Sequence, residues 1–204
     1  MKKMILLSGL FWFCTLATYA QLYLGVKGGP NLSNLLIGSD QQVFANDFYQ
    51  YKVGYQVGII AQARFSEGFY IQPELLWVVK GSSVLTNAAI NERENFNLSY
   101  ISLPLIAVFR VGESLGITFG PELAYLASSR IGDQNLGNLL TFKDFDLSLD
   151  AGALLDLSNA LFIDVRFSFG VFNIERFGLA GASGSTATRN ASMQVSLGYM
   201  LSQD

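Results

Sequence analysis

Histidine is absent from this 204-residue sequence, and the only cysteine is Cys14. Ser-His-Asp triads, Cys-His dyads and ordinary zinc sites each require one of these residue types, so the sequence cannot build them. We therefore predict no catalytic residues, no cofactor-binding residues and no metal site. The protein is expected not to be an enzyme.

Charged residues are also scarce. They make up 14% of the sequence, whereas about 25% is typical of soluble domains. Half of all residues are hydrophobic, and the formal net charge is −3. An acidic chain has no electrostatic attraction to nucleic acids, so that class of partner is excluded. In a chain this short, the apolar excess favours a lipid-facing surface over an unusually large core.

Residues 1–20 predict a secretory signal peptide. Lys2-Lys3 forms a basic start, residues 4–16 are almost entirely apolar, and Thr18-Tyr19-Ala20 offers the small residues that a signal peptidase reads. Cleavage at this point would remove the only cysteine and leave one domain, residues 21–204. No later apolar run is long enough for a membrane-spanning helix, so a membrane-embedded domain would have to be a β-barrel.

Apolar and polar residues alternate along eight segments, with the period of two that is typical of strands with one apolar face. In residues 143–157, for example, Leu147 and Leu149 alternate with Asp146 and Ser148. The predicted strands are residues 22–28, 51–65, 69–81, 98–111, 116–128, 143–157, 161–173 and 191–201.

The connections between these segments alternate between long and short. The short ones are residues 66–68, 112–115 and 158–160, and the long ones are residues 29–50, 82–97, 129–142 and 174–190. Long and short connections therefore lie at opposite ends of the strands. This predicts an all-β fold, an eight-stranded antiparallel up-and-down transmembrane β-barrel with four long extracellular loops. Residues 177–188 are rich in Gly, Ala and Ser and predict a flexible part of the last loop.

Alternation alone leaves open which face of the strands points outward. A soluble lipocalin-like barrel would bury its apolar face and could carry an apolar ligand. Two features favour a membrane barrel instead. The polar face contains many Gly and Ser residues, as suits a crowded interior. Aromatic residues such as Tyr51, Phe109 and Tyr199 lie near strand ends, where an aromatic girdle would form.

Three prolines, Pro73, Pro104 and Pro121, fall inside predicted strands. Proline lacks the N–H group that a sheet ladder uses, and a closed barrel has no free edge to accommodate it. We therefore expect a bulge or an unpaired stretch at each of these positions.

Three short motifs carry a family resemblance: Gly-Val-Lys-Gly-Gly-Pro-Asn-Leu-Ser at residues 25–33, Gln-Pro-Glu-Leu-Leu at residues 72–76 and Tyr-Ile-Ser-Leu-Pro-Leu at residues 100–105. They resemble the PorT-type outer-membrane β-barrel family of Bacteroidota, and the resemblance covers essentially all of residues 21–204. It implies an OmpA- or OmpX-like architecture in the outer membrane of a Gram-negative bacterium, with strand prolines as a family feature. It also implies outer-membrane lipids and the barrel assembly machinery as partners.

The sequence departs from the family pattern at two places. Ser102 stands where the family usually has an acidic residue, which removes one expected interior charge. The sequence ends Tyr199-Met200-Leu201-Ser202-Gln203-Asp204, whereas outer-membrane barrels commonly end on an aromatic residue. Tyr199 or Leu201 would have to take that place. The family has no single activity, and one branch is linked to the type IX secretion system.

Eight charged residues lie on the predicted inward face and are the candidate site residues: Lys27, Glu74, Lys80, Arg110, Glu122, Asp150, Asp164 and Arg166. Two carboxylates among them could serve as a general acid and base, or as a calcium site. Eight strands, however, enclose only enough space for side chains, and buried charges need partners. We therefore favour a structural ion network that fills the lumen.

These features together predict a non-enzymatic, monomeric outer-membrane protein with a plugged lumen. Its role would be structural, or surface and secretion-system proteins would bind its external loops. One alternative is a narrow porin-like channel for small solutes, which would show steady conductance. A less favoured alternative is the soluble carrier, which requires the opposite face assignment.

Overall fold

The structure, a computed structural model, describes residues 21–38, 49–87, 92–131, 134–135, 143–172 and 187–201. Three sequence predictions fall outside these residues, wholly or for the most part: the signal peptide at residues 1–20, the loop at residues 177–188 and the polar tail at residues 202–204. Among the described residues, no helix has the length and apolar character needed to cross a membrane.

The described residues form long strands that close into a barrel. In chain order, the strands are β1 (Gln21–Gly38), β2 (Tyr49–Gln50), β3 (Lys52–Ser66), β4 (Phe69–Asn87), β5 (Glu92–Arg110), β6 (Leu115–Ile131), β7 (Gln134–Asn135), β8 (Phe145–Asp156), β9 (Leu161–Gly170) and β10 (Ala187–Met200). Eight long strands make the wall, each antiparallel to its neighbours, and β10 pairs with β1 to close it. The short strands β2 and β7 add to β4 and β6. The predicted eight-stranded antiparallel up-and-down barrel is confirmed.

Side-chain exposure establishes which face of each strand points outward. On β3, Val53 and Ile59 are 71% and 57% exposed, whereas Gln56 between them is 2% exposed. The same alternation continues around the barrel, so an apolar belt covers the outside and mostly polar side chains fill the inside. This is the arrangement predicted for a membrane barrel, and it is the opposite of what a lipocalin-like carrier needs.

One end of the barrel carries the short turns and both described chain ends. Residues 67–68 join β3 to β4, residues 111–114 join β5 to β6, and residues 157–160 join β8 to β9. Gln21 pairs with the end of β3 here, and the backbone N–H of Leu201 donates to β1. We call this end the short-turn end. The alternating connection lengths predicted that the short connections lie together at one end.

The prediction of four long loops is wrong for residues 82–97. β4 continues to Asn87 and β5 begins at Glu92, so only residues 88–91 separate the two strands. β1 likewise extends to Gly38, well beyond its predicted end. Backbone N–H and C=O groups pair whatever side chains the residues carry, so a ladder can continue where apolar alternation has stopped.

Each of the four prolines interrupts one ladder without shifting its register. Pro30, Pro73, Pro104 and Pro121 each lie in a gap of two residue pairs, beyond which pairing resumes in the same register. The irregularity expected in the strands is therefore an unpaired stretch and not a bulge. The physical reason is that proline removes an N–H group but adds no residue to the strand.

Candidate functional site

Strand alternation directs several of the predicted charged residues into one part of the lumen. Lys27 on β1, Glu74 on β4 and Asp164 on β9 are all buried. Nζ of Lys27 lies 2.9 Å from Oε2 of Glu74 and 2.8 Å from Oδ2 of Asp164. One ammonium group therefore links two carboxylates from strands that are not neighbours.

Arg166 on β9 completes this group. Its Nη1 and Nη2 atoms donate hydrogen bonds of 3.2 Å and 3.0 Å to the two oxygens of Glu74, which is the planar fork that arginine presents to carboxylates. Nη2 also donates to Oδ2 of Asp164 at 2.6 Å. Asp150 on β8 is farther away, with its Oδ2 atom 3.7 Å from Nη1 of Arg166. We call Lys27, Glu74, Asp150, Asp164 and Arg166 the lower cluster.

Two more of the predicted residues form a separate pair, farther from the short-turn end. Nζ of Lys80 lies 2.6 Å from Oε1 of Glu122, and both side chains are buried. Asp146, which was not among the candidate residues, accepts a hydrogen bond of 2.7 Å from Nδ2 of Asn190. The same amide group donates to the hydroxyl oxygen of Tyr100 at 3.2 Å. The sequence pattern places Asn190 in the last long loop, whereas in the structure it lies in β10.

Arg110 stands apart from both groups. It lies at the short-turn end, where it pairs with Asp156 and where its Nη1 atom donates to the carbonyl oxygen of Glu113 at 2.6 Å. The Arg110 and Asp156 side chains are 23% and 24% exposed. The structure therefore places Arg110 outside the buried network to which it was assigned. Asp156 lies in the same row of inward-facing residues as Asp150, so the sequence alternation already indicated that this partner of Arg110 points into the lumen.

Apolar side chains occupy the lumen between the lower cluster and the short-turn end. They form one group of Ile60, Leu154, Phe162 and Met200, with Tyr23 packed against it, and a second group of Tyr70, Ile106 and Val108. The Phe162 ring lies over Gly198, where an added Cβ atom would overlap the ring. We call the first group the apolar layer. The sequence signalled it only through single apolar residues, such as Leu154, on otherwise polar faces.

On the outside, aromatic rings gather near both ends of the apolar belt. Close to the short-turn end, the ring centroid of Phe69 lies 6.0 Å from that of Phe65 and 4.9 Å from that of Phe109. Near the opposite end of their strands, the rings of Tyr125 and Phe145 lie 5.4 Å apart. Aromatic residues at two levels are typical of barrels that meet two membrane interfaces.

The lower cluster is arranged for charge neutralisation. The side chains of Lys27, Glu74 and Asp164 are at most 1% exposed, so a substrate has no access to them. Moving an unpaired charge into such surroundings costs several kcal/mol, and the close contacts to Lys27 and Arg166 offset that cost. Within the described part of the chain, no group of three or more metal-binding side chains is arranged to hold a metal ion.

Comparison with known proteins gives a family match over most of the chain. Residues 19–176 match the family described as outer membrane protein beta-barrel domain. No curated protein matches the sequence. Among solved structures, the chain is similar to neisserial surface protein A, with 12% identity over 88% of this chain and 97% of that one and a TM-score of 0.48.

Two further solved structures show a similar extent of likeness. One is Ail, the attachment invasion locus protein of Yersinia pestis, in complex with the heparin analogue sucrose octasulfate, with 10% identity over 89% of this chain and 99% of that one and a TM-score of 0.49. The other is the outer membrane protein OprG from Pseudomonas aeruginosa, with 10% identity over 91% of this chain and 98% of that one and a TM-score of 0.48.

Proposed function

Because the chain belongs to the family of the outer membrane protein beta-barrel domain, we propose that it is a non-enzymatic outer-membrane protein with a plugged lumen. It acts through its surface, either as a structural component of the membrane or by binding other proteins. The lower cluster is the observation that carries this proposal. Four of its five charged groups form close ion pairs inside the lumen, where a channel would need space for solutes.

Two kinds of layer close the lumen in series. The lower cluster holds side chains from β1, β4, β8 and β9 together through ion pairs. Between the lower cluster and the short-turn end, the apolar layer adds a second barrier, because its side chains offer no hydrogen-bonding groups to water or ions. A solute crossing the barrel would have to separate ion pairs and displace the Phe162 ring. This arrangement supports a plugged barrel over a porin-like channel.

The outer surface supports lipid as the surrounding medium. Outward positions carry large apolar side chains that are about half exposed around the whole barrel, among them Leu22, Ile59, Leu103, Ile117 and Phe167. We propose that the chain is exported by a signal peptide at residues 1–20 and inserted by the barrel assembly machinery. We also propose that it is monomeric, since a closed sheet offers no free strand edge to a second copy.

The PorT-type assignment is part of this proposal. The motifs at residues 25–33, 72–76 and 100–105 lie on β1, β4 and β5, and each contains a proline that interrupts a ladder. This shared structural role supports common ancestry with the PorT-type family. A secretion-accessory role would then use the end opposite the short turns, where the β4–β5 hairpin could contact surface or secretion-system proteins.

The proposal is tested by refolding residues 21–204 into detergent micelles and into planar lipid bilayers. We expect a heat-dependent mobility shift on a gel, precipitation when detergent is omitted, and no steady single-channel conductance. Steady conductance would replace the proposal with a small-solute channel. A monodisperse species in plain buffer would point instead to a soluble carrier.

A pair of variants on one strand tests the plug itself. Phe162→Ala removes a buried ring from the lumen, whereas Phe169→Ala removes a ring that is 53% exposed on the outer face of β9. We expect transient conductance from the first variant only, with a heat-dependent mobility shift retained by both. Equal conductance traces from the two folded variants would contradict a role for the apolar layer in closing the lumen.

A further inference from the structure

The short-turn end of the barrel contains a cavity of about 600 Å³, and no residue of the lower cluster lines it. We call this cavity the vestibule. Small-molecule sites commonly have volumes of about 300–1,000 Å³. The walls come from the ends of β3, β5 and β8 and from the three short turns, while Phe162 and Met200 of the apolar layer also line the cavity. The apolar layer therefore forms part of the inner wall of the vestibule.

Charges are unevenly distributed in the vestibule. Arg110 and Asp156 neutralise each other. The remaining charged residues of the lining are Arg64, Glu67 and Glu113. Arg64 lies on β3 and is partly buried, whereas the two glutamates lie exposed in the turns that form the rim. Among the described lining residues, Arg64 is thus a positive charge with no ion-pair partner, and two of the three turns at the mouth carry a negative charge.

In the described part of the chain, Arg64 is held in position by aromatic rings and not by an acidic side chain. Its guanidinium carbon lies 4.6 Å from the ring centroid of Tyr23 and 6.0 Å from that of Tyr70. Within the described ranges, the one hydrogen bond of Nη2 is a long one of 3.5 Å to Oε1 of Gln62. Among the residues that the structure describes, Arg64 forms no salt bridge, and its buried Nε atom has no acceptor. Stacking on tyrosine orients a guanidinium group, and since Nε is buried, the terminal Nη groups are the donors offered to an oxyanion.

We propose that the vestibule binds a small dipolar molecule in which a short linker joins an oxyanion to an ammonium group. The oxyanion, a carboxylate or a phosphate, accepts hydrogen bonds from Arg64, and the ammonium group lies at the rim beside Glu67 and Glu113. A simple anion would have to pass the rim carboxylates, and a simple cation would meet Arg64. Because short turns of outer-membrane barrels face the periplasm, the molecule comes from that side and does not cross the barrel.

The test uses residues 21–204 refolded in a non-ionic detergent and titrated by isothermal calorimetry and NMR. The dipolar probes are phosphoethanolamine, which represents a lipid headgroup, and glycylglycine, which represents a free peptide. Inorganic phosphate, acetate and ethanolamine serve as the separate halves. We expect saturable binding of at least one dipolar probe, at least about tenfold tighter than either of its halves. Tighter binding of phosphoethanolamine would identify the oxyanion as a phosphate, and tighter binding of glycylglycine would identify it as a carboxylate.

Variants locate the site and separate its two charges. Arg64→Gln should weaken the dipolar probe by at least about tenfold, and Arg64→Lys should weaken it less, because a charge remains but the planar fork is lost. Glu113→Gln should weaken the dipolar probe but not phosphate or acetate. Arg130→Gln, at the exposed opposite end of β6, is the matched control and should change nothing. A heat-dependent mobility shift verifies folding of each variant.

Three results would overturn the proposal. The first is the absence of saturable binding by both dipolar probes. The second is equal affinity for a dipolar probe and its oxyanion half. The third is unchanged affinity in folded Arg64→Gln.

Discussion

The lower cluster and the Arg110–Asp156 pair contain the same kinds of side chain in different surroundings. The lower cluster has almost no contact with water, and each of its two cations touches two carboxylates at 3.0 Å or less. The Arg110 and Asp156 side chains are about a quarter exposed at the barrel mouth. A buried charge depends on its partners, whereas an exposed charge also has water. Depth in the lumen, more than residue type, therefore decides how much stability an ion pair contributes.

Removing one member of the lower cluster should have the largest effect. In Glu74→Gln, Lys27 and Arg166 lose a shared carboxylate and stay buried, so we expect the free energy of unfolding to fall by about 3–5 kcal/mol. Urea unfolding in lipid vesicles measures this change. Trp77, the only tryptophan in residues 21–204, lies on the outer face of the same strand and reports unfolding by fluorescence. A loss below about 1 kcal/mol would contradict the burial of the Glu74 carboxylate between Lys27 and Arg166.

Gly198 tests the packing of the apolar layer, which separates the lower cluster from the Arg110–Asp156 pair. In Gly198→Ala, the new methyl group overlaps the Phe162 ring, and we expect a loss of about 1–3 kcal/mol from overpacking. Gly68→Ala is the matched control, because a Cβ atom there meets no atom within 4 Å. The same urea titration compares the two variants. If both lose the same stability, the apolar layer is not tightly packed around Phe162.

The mouth of the barrel should tolerate the loss of its ion pair. For Arg110→Gln, we expect the free energy of unfolding to change by about 1 kcal/mol or less, since water can solvate Asp156 in the variant. The change should shrink further as salt is added, because screening weakens exposed pairs. Urea titrations at low and high salt measure both effects. A loss as large as that of Glu74→Gln would erase the distinction between the two regions.

Within the lower cluster, Asp150 should be the least important carboxylate. Neither of its oxygens accepts a hydrogen bond in the described structure, and its nearest cationic atom lies 3.7 Å away. We expect Asp150→Asn to leave the free energy of unfolding unchanged or to raise it by about 1 kcal/mol, because a poorly paired buried charge is removed. Asp164→Asn, which loses close contacts to Lys27 and Arg166, should be clearly destabilised. The reverse order would show that Asp150 is the better-paired residue.

Most of the fold could be predicted from the sequence because the barrel wall uses one repeated pattern. The alternation of Leu147 and Leu149 with Asp146 and Ser148 reports both the strand and its two faces. The same pattern fails in residues 82–97, where β4 and β5 continue through backbone pairing that side chains do not reveal. Strand type and orientation are therefore readable from the sequence, but strand ends beyond the apolar belt are not.

The candidate site could be predicted only in part, for a related reason. The polar–apolar alternation predicts that the side chains of Arg110 and Arg166 both point into the lumen, and in the structure both do. The alternation does not predict how far along the barrel axis each side chain lies, because that position depends on the register between strands that are distant in the chain. Arg110 ends its strand beside a short turn and meets water, whereas Arg166 lies deeper and meets Glu74. Asn190 was out of reach because its strand begins earlier than the apolar pattern does.

The pairing of β10 with β1 has a consequence for how the interior is assembled. Lys27 and Asp164 are 137 residues apart in the chain, and they meet across this seam only when the last strand is in place. Until then, a half-built barrel exposes its interior cations and carboxylates along an open edge, which a hydrocarbon environment opposes. Sealing the seam and neutralising the interior are therefore a single event, so the chain should enter the membrane as a whole and leave few stable intermediates.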